Sequence, residues 1–235
     1  TDDKNFPSDY YIISSLAKEY GLKVKIVPRE KLIENINRTV SIVTTTQVDY
    51  ITSETLDLPS LTKQCKKYGA ISLLDLSHSV GILPLLLDKW EVDFAVGCTY
   101  KYLNGGPGSP AFLYVNNKYL EKTDIIIKGW FGHRRPFEFN NKYTPSKGIE
   151  KFLTGTPSII SMKQLEASLE IFNQIDLNKL RKKSFNQTSV LIDLILNNQH
   201  TNKIKIISPL EESRGGHIAI EHRNASKLLA YYEKN

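Results

Sequence analysis

Apolar positions recur along this chain with two periods, and the two alternate through its first half. The pattern predicts a helix over residues 8–20, stopped by Gly21, a strand over 22–27, a helix over 28–35 and a β-branched strand over 40–48. A further helix is expected over 58–68, with Gly69 as its stop. Short apolar strands follow at 71–76, 94–99 and 111–115. Strands alternating with helices imply an α/β fold, a mostly parallel sheet with helices on both faces.

The pattern changes after Tyr143. Ile159, Met162, Leu165, Leu169 and Phe172 recur at helical spacing, as do Leu180, Val190, Leu191, Leu194 and Ile195. Two long helices with buried stripes are predicted. Residues 203–207 and 217–220 read as strands flanking a turn at Arg214-Gly215-Gly216. The expected organisation is a large domain over 1–155, then long helices and the start of a small α+β domain over 156–235, with the chain cut short at both ends.

Composition narrows the partners. A chain of 235 residues, 40% of them hydrophobic, can bury a substantial core. Its longest candidate apolar run, 82–87, is interrupted by Pro84, so no membrane span is expected. The opening Thr1-Asp2-Asp3-Lys4 lacks the basic start and apolar stretch of a signal peptide. The two cysteines, Cys65 and Cys98, are spaced for neither a disulfide framework nor a metal, which suits a cytoplasmic setting. The net charge of +6 comes from scattered residues, and the densest cluster, around Lys182, falls in a helical pattern. A solvated helix face is expected there, and no nucleic acid partner.

Two segments carry candidate chemistry. In Asp75-Leu76-Ser77-His78-Ser79-Val80-Gly81, an aspartate ends an apolar strand. Ligands bind open parallel sheets at the carboxyl ends of the strands. A carboxylate there needs a partner, and a protonated pyridine nitrogen is one; a helix cap made by Asp75 or Ser77 is an equal alternative. In the second segment Lys101 follows a strand and precedes the glycine-rich turn Gly105-Gly106-Pro107-Gly108. A lysine with a depressed pKa can form a Schiff base with an aldehyde cofactor, whereas most lysines leaving a strand are surface residues. The pair is more telling than either member. An Asp at one strand end and a Lys about one βα unit later is the arrangement of fold-type I pyridoxal-phosphate enzymes.

Four elements sharpen this resemblance: Phe6-Pro7-Ser8-Asp9, Asp75 to Gly81, Tyr100-Lys101-Tyr102-Leu103-Asn104 and Gly129-Trp130-Phe131-Gly132-His133. Together, and in this order, they resemble the kynureninases over about residues 5–220. The resemblance implies pyridoxal 5'-phosphate as cofactor. It also implies hydrolysis of kynurenine or 3-hydroxykynurenine to anthranilate or its 3-hydroxy form plus alanine, in tryptophan catabolism and NAD biosynthesis. Lys101 would then bond the cofactor aldehyde and move the substrate's α-proton. Asp75 would pair with the ring nitrogen, and His78 would orient cofactor or substrate. Tyr100 would bond the phosphate and relay protons. Phe6, in the element with Pro7 and Ser8, would pack on the ring, with Asp9 nearby and Thr46 as a small hydroxyl residue beside the cofactor. Trp130 and Thr156 would reach the phosphate of the neighbouring subunit in a homodimer with shared sites.

The resemblance further implies a longer parent, with part of the phosphate cradle before Thr1 and a carboxylate-binding arginine after Asn235, so that this piece alone would be inactive. The segment Gly105 to Pro110, with two prolines, and the basic Arg134-Arg135-Pro136 depart from the family pattern. Two other readings compete. A cysteine desulfurase-like lyase needs a mobile cysteine well after the lysine, whereas Cys65 falls in a predicted helix and Cys98 just before Lys101. A non-catalytic remnant would retain no cofactor.

Overall fold

The computed structural model describes residues 1–198 and 203–234; residues 199–202 and 235 of the expected second domain lie outside them. A four-stranded sheet runs in the order β1 (Ile42–Thr46), β2 (Ile71–Asp75), β3 (Phe94–Cys98), β4 (Ala111–Val115). The first three strands are parallel, and β4 returns antiparallel to β3. The mostly parallel α/β sheet is as the pattern implied. α2 (Leu58–Tyr68) makes the crossover between β1 and β2. Its start is fixed by Asp57, whose side chain accepts from the Ser60 N–H, and its end by Gly69 at φ 74°. Leu58, Leu61 and Cys65 of α2 bury their side chains against Val43, Leu74 and Ala95 of the sheet. Each fully buried leucine contributes roughly 1.5–3 kcal/mol.

Register decides where the chemistry sits. Thr46 lies opposite Asp75, and Asp75 opposite Val96. The carboxyl ends of the three parallel strands therefore share one edge, and the segment carrying Lys101 leaves from it.

The N-terminal predictions need correction. α1 spans Pro7–Glu19, with Pro7 in its first turn. Residues 22–27 form no strand; Val27 makes only an isolated bridge to Asp2. Leu22 and Ile26 are exposed, so this apolar run has no neighbouring strand to pair with and no layer to enter. The helix expected over 28–35 is a 3-10 turn at Arg29–Lys31. Arg29 is buried, and its guanidinium donates to the carbonyls of Thr46, Gln47 and Glu54. That anchorage turns the chain where periodicity would have continued it.

The long helices exist as α4 (Ile159–Phe172) and α5 (Leu177–Leu196), but their stripes are not buried. Ile159, Met162, Leu169, Val190, Leu191 and Leu194 are exposed, and α4 buries only Ser168 and α5 only Ile192. Periodicity marks a face that wants covering; it does not supply the cover. β5 (Lys205–Ile206) pairs antiparallel with β6 (Ile220–Glu221), each shorter than expected, and α6 (Ala225–Tyr232) follows. The loop between β5 and β6 is not a plain turn. It runs back to the large sheet, where Arg214 bridges Glu54 and the Gly215 N–H donates to Ser53. Among the described residues, no helix is long and apolar enough to cross a membrane.

Candidate active site

At the end of β2 the Ser77 N–H donates to Asp75 Oδ1 at 2.6 Å, so the chain makes a tight polar turn and no helix follows. The Cys98 N–H donates to the Ser77 hydroxyl at 3.2 Å, tying this turn to the end of β3. Gly81 closes the segment at φ 87°, and a Cβ there would lie 2.7 Å from the Tyr102 carbonyl oxygen. Only glycine allows this approach of the 75–81 loop to the backbone beside Lys101. Behind Asp75, the buried Thr46 hydroxyl donates to the carbonyls of Val48 at 3.1 Å and Asp75 at 3.4 Å.

Lys101 sits in a turn that is pinned on several sides. The Gly105 N–H donates to Thr99 O at 2.9 Å and the Asn104 N–H to Lys101 O at 3.0 Å. The Thr99 hydroxyl donates to Pro110 O at 2.5 Å, and Ser168 of α4 donates to Leu103 O. The Lys101 amine lies 5.5 Å from the centre of the exposed Tyr100 ring.

α1 completes the cluster by presenting Asp9. Burial, then the Asp75 charge and a hydrogen bond with Asp75, push the Asp9 carboxyl up to about 6, with Lys101 pulling the other way. Burial, then the charges of Lys101 and His217, lower the His78 imidazole, opposed by Asp75 and Asp49. The rings of His78 and His217 are 6.1 Å apart. A cavity of about 410 Å³ opens here, lined by Tyr50, His78, Lys101, Tyr102 and His217. Phe6 stands edge-on to Tyr50, 5.1 Å between ring centres.

Of the expected site residues, Asp9, Asp75, His78 and Lys101 act on one another here, with Phe6 beside Tyr50. Pro7 and Ser8 open α1, and Thr46 spends its hydroxyl on carbonyls. Trp130 and Thr156 lie elsewhere. Trp130 stacks on Phe139, 6.3 Å between centres, and lines a second cavity of about 290 Å³ with His133 and Tyr143. Thr156 is exposed just before α4. Sequence reasoning missed Tyr50, Tyr102 and His217. Tyr102 was within reach, flanking Lys101 in a quoted motif; His217 had only the glycines before it as a signal, and Tyr50 had none.

The donor set suits pyridoxal phosphate. Two carboxyl groups press on each other beside one amine, so the chain holds more negative charge than it neutralises comfortably. A cationic ring nitrogen at Asp75 would relieve this, and the Lys101 amine is the matching group for the aldehyde. Among the described residues, no cluster of His, Cys, Asp and Glu is arranged to hold a metal.

Comparisons with known proteins follow the same line. The family described as aminotransferase class-V matches residues 4–230. The kynureninase of Deinococcus radiodurans is 36% identical over 232 residues, which cover 98% of this chain and 57% of that protein. The kynureninase of Pseudomonas fluorescens is 38% identical, over 94% of this chain and 54% of its own length. The chain thus spans little more than half of these curated relatives. Among solved structures, a mutant of C-DES with glycine covalently linked to its PLP cofactor superimposes with a TM-score of 0.82 at 17% identity, covering 99% of this chain and 64% of its own. The apo cysteine desulfurase from Thermococcus onnurineus NA1 gives 0.79 at 18% identity, covering 97% and 57%. At these identities the likeness is one of fold.

Proposed function

This chain belongs to the aminotransferase class-V family, and on that premise we propose that it is the central part of a pyridoxal-phosphate hydrolase of the kynureninase kind. The reaction adds water to L-kynurenine or 3-hydroxykynurenine and releases anthranilate or 3-hydroxyanthranilate together with L-alanine. The observation that carries this reading is the meeting of Asp9, Asp75, His78 and Lys101 at the carboxyl edge of the parallel strands. The identity to kynureninases over nearly the whole chain supports it over the desulfurase reading.

When bound, the cofactor supplies an electron sink for the carbon next to the substrate's amine. The residues of this chain supply the rest. Asp75, held by the Ser77 N–H, presents a fixed negative charge to the ring nitrogen and keeps its proton in place. Asp9 stiffens that charge from the side of α1. Lys101 would hold the aldehyde, and its Nζ, once free, would take and return the α-proton. His78, lowered by burial and by Lys101, is a neutral imidazole near pH 7 and can orient a polar group without adding positive charge beside the amine. In this reading the Tyr100 hydroxyl would relay protons or hold the phosphate.

The working unit in this proposal is a cytoplasmic homodimer in tryptophan catabolism and NAD biosynthesis. The exposed apolar faces of α4 and α5 support a covered surface there. Trp130 and Thr156, remote from Lys101's cavity, would serve the partner's phosphate. The test is borohydride reduction of the full-length protein loaded with pyridoxal phosphate, with peptide mapping, and an anthranilate fluorescence assay. A pyridoxyl group on Lys101 and release of anthranilate are expected; a label on another lysine overturns the assignment, and loss of cysteine sulfur instead of anthranilate release would favour the desulfurase reading.

A further inference from the structure

His217 is the residue of this cavity that no motif accounts for. Its Nε2 is buried and has no hydrogen-bond partner among the described residues. An imidazole nitrogen shut away from water without a partner is costly unless a ligand completes it. The backbone of Ile51 and Tyr50 lies beside the ring. Burial lowers the imidazole, so the ring is neutral. In the tautomer protonated on Nδ1, the buried nitrogen is an acceptor that a ligand's donor would complete.

Its position is held firmly. Arg214, fully buried, donates to Pro209 O at 2.8 Å, to the Ser189 hydroxyl at 2.8 Å and to the Thr188 hydroxyl at 3.1 Å, and lies over the Phe185 ring. Arg181 donates to the carbonyls of Glu212, Arg214 and Gly215. A Cβ on Gly216 would lie 2.9 Å from the Tyr102 ring, and one on Gly215 2.7 Å from Val48. The loop is thus clamped from α5 and pressed against the large sheet, and it carries His217 into the cavity with Lys101.

Its ring neighbour in the cavity is His78, 6.1 Å away between centres. The Lys101 charge acts on His78, which in turn meets His217, whereas the charge acting on His217 is that of Asp49. We propose that His217 is a specificity-determining residue whose Nε2 accepts a hydrogen bond from the amino group on the substrate's aromatic ring. This rests on the function proposed above, since a 2-aminoaryl ketone bound at Lys101 would place its ring in the cavity that Lys101 shares with His78 and His217.

The test uses the full-length protein loaded with pyridoxal phosphate. Wild-type turnover of L-kynurenine is measured first; if there is none, the proposed function fails, and this inference with it. Binding of anthranilate and of benzoate, which lacks the ring amine, is then measured by calorimetry in the wild type, His217→Ala and His217→Gln. Cofactor absorbance and circular dichroism confirm that each variant is folded. Wild type should prefer anthranilate. His217→Ala should lose about tenfold for anthranilate, the effect of one buried hydrogen bond, and little for benzoate. His217→Gln, whose amide oxygen can accept the same donor, should recover most of the preference. Equal losses for both ligands, or no loss for either, would overturn the inference while leaving the kynureninase reading intact.

Discussion

Asp9 on the first helix and Asp75 at the end of the second strand meet carboxyl to carboxyl, and burial together with this contact pushes the Asp9 carboxyl up to about 6. Two acids brought together at the edge of a sheet are a liability for an empty site and an asset for one that receives a cation.

The contact makes stability depend on pH in a defined direction. The folded-state value of about 6 lies above the ordinary 3.8, so folding takes up a proton at Asp9. The favourable contribution is fully present below about pH 4 and is lost as pH rises through 6. Asp9→Asn should therefore stabilise the cofactor-free protein at pH 7.5, by about 1 kcal/mol once the half-exposed site is discounted for solvent screening. The gain should shrink toward zero by pH 4. Thermal melts across that range check it; a gain independent of pH would rule out the proton-sharing contact.

Asp75→Asn keeps the shape of the side chain and its turn but removes the charge offered to the ring nitrogen. Turnover of kynurenine by the full-length protein should fall about 10²–10³-fold, the scale of losing one preorganised electrostatic contact in the transition state. Cofactor occupancy, read from absorbance, should fall much less. Near-normal turnover would remove Asp75 from the site.

Arg29 is a structural anchor of the segment that carries Tyr50 to the cavity. It pairs with the buried Asp2 at 3.4 Å and donates to Gln47 O at 2.8 Å, holding the end of β1 and the loop that bears Tyr50. Arg29→Met leaves Asp2 charged and these carbonyls unpaired, and should cost about 3–5 kcal/mol by urea denaturation. Asp2→Asn, which retains a polar acceptor, should cost less. Equal effects would mean that the ion pair, more than the carbonyl contacts, carries the anchorage.

If Trp130 serves the neighbouring subunit, two dead enzymes can repair each other. Mixing full-length Lys101→Ala with full-length Trp130→Ala and allowing subunits to exchange should restore activity, because one of the two hybrid sites carries both native residues. About a quarter of wild-type activity is expected from random reassortment into symmetric dimers, half of which are hybrids with one good site. No recovery in verified heterodimers would show that each subunit is self-contained.

The sequence by itself determined the parallel strands and the two chemical segments at their ends. Short apolar and β-branched runs and glycine stops are local signals, and they placed α2, β2, β3 and β4 within a residue or so. Asp75 and Lys101 were legible because a strand end is a position along the chain. The tertiary structure decided what depends on which segments meet. Residues 22–27 had the composition of a strand but no neighbour to pair with, and the stripes of α4 and α5 had helical period but no cover within the described chain. Tyr50 and His217 line the cavity because Arg29 ties down one loop and Arg181 and Arg214 clamp another. Those long-range hydrogen bonds join residues far apart in sequence, so no local pattern records them. The proton shared by Asp9 and Asp75 is of the same kind: a charge has its ordinary affinity for a proton until the fold removes water and brings a second charge beside it.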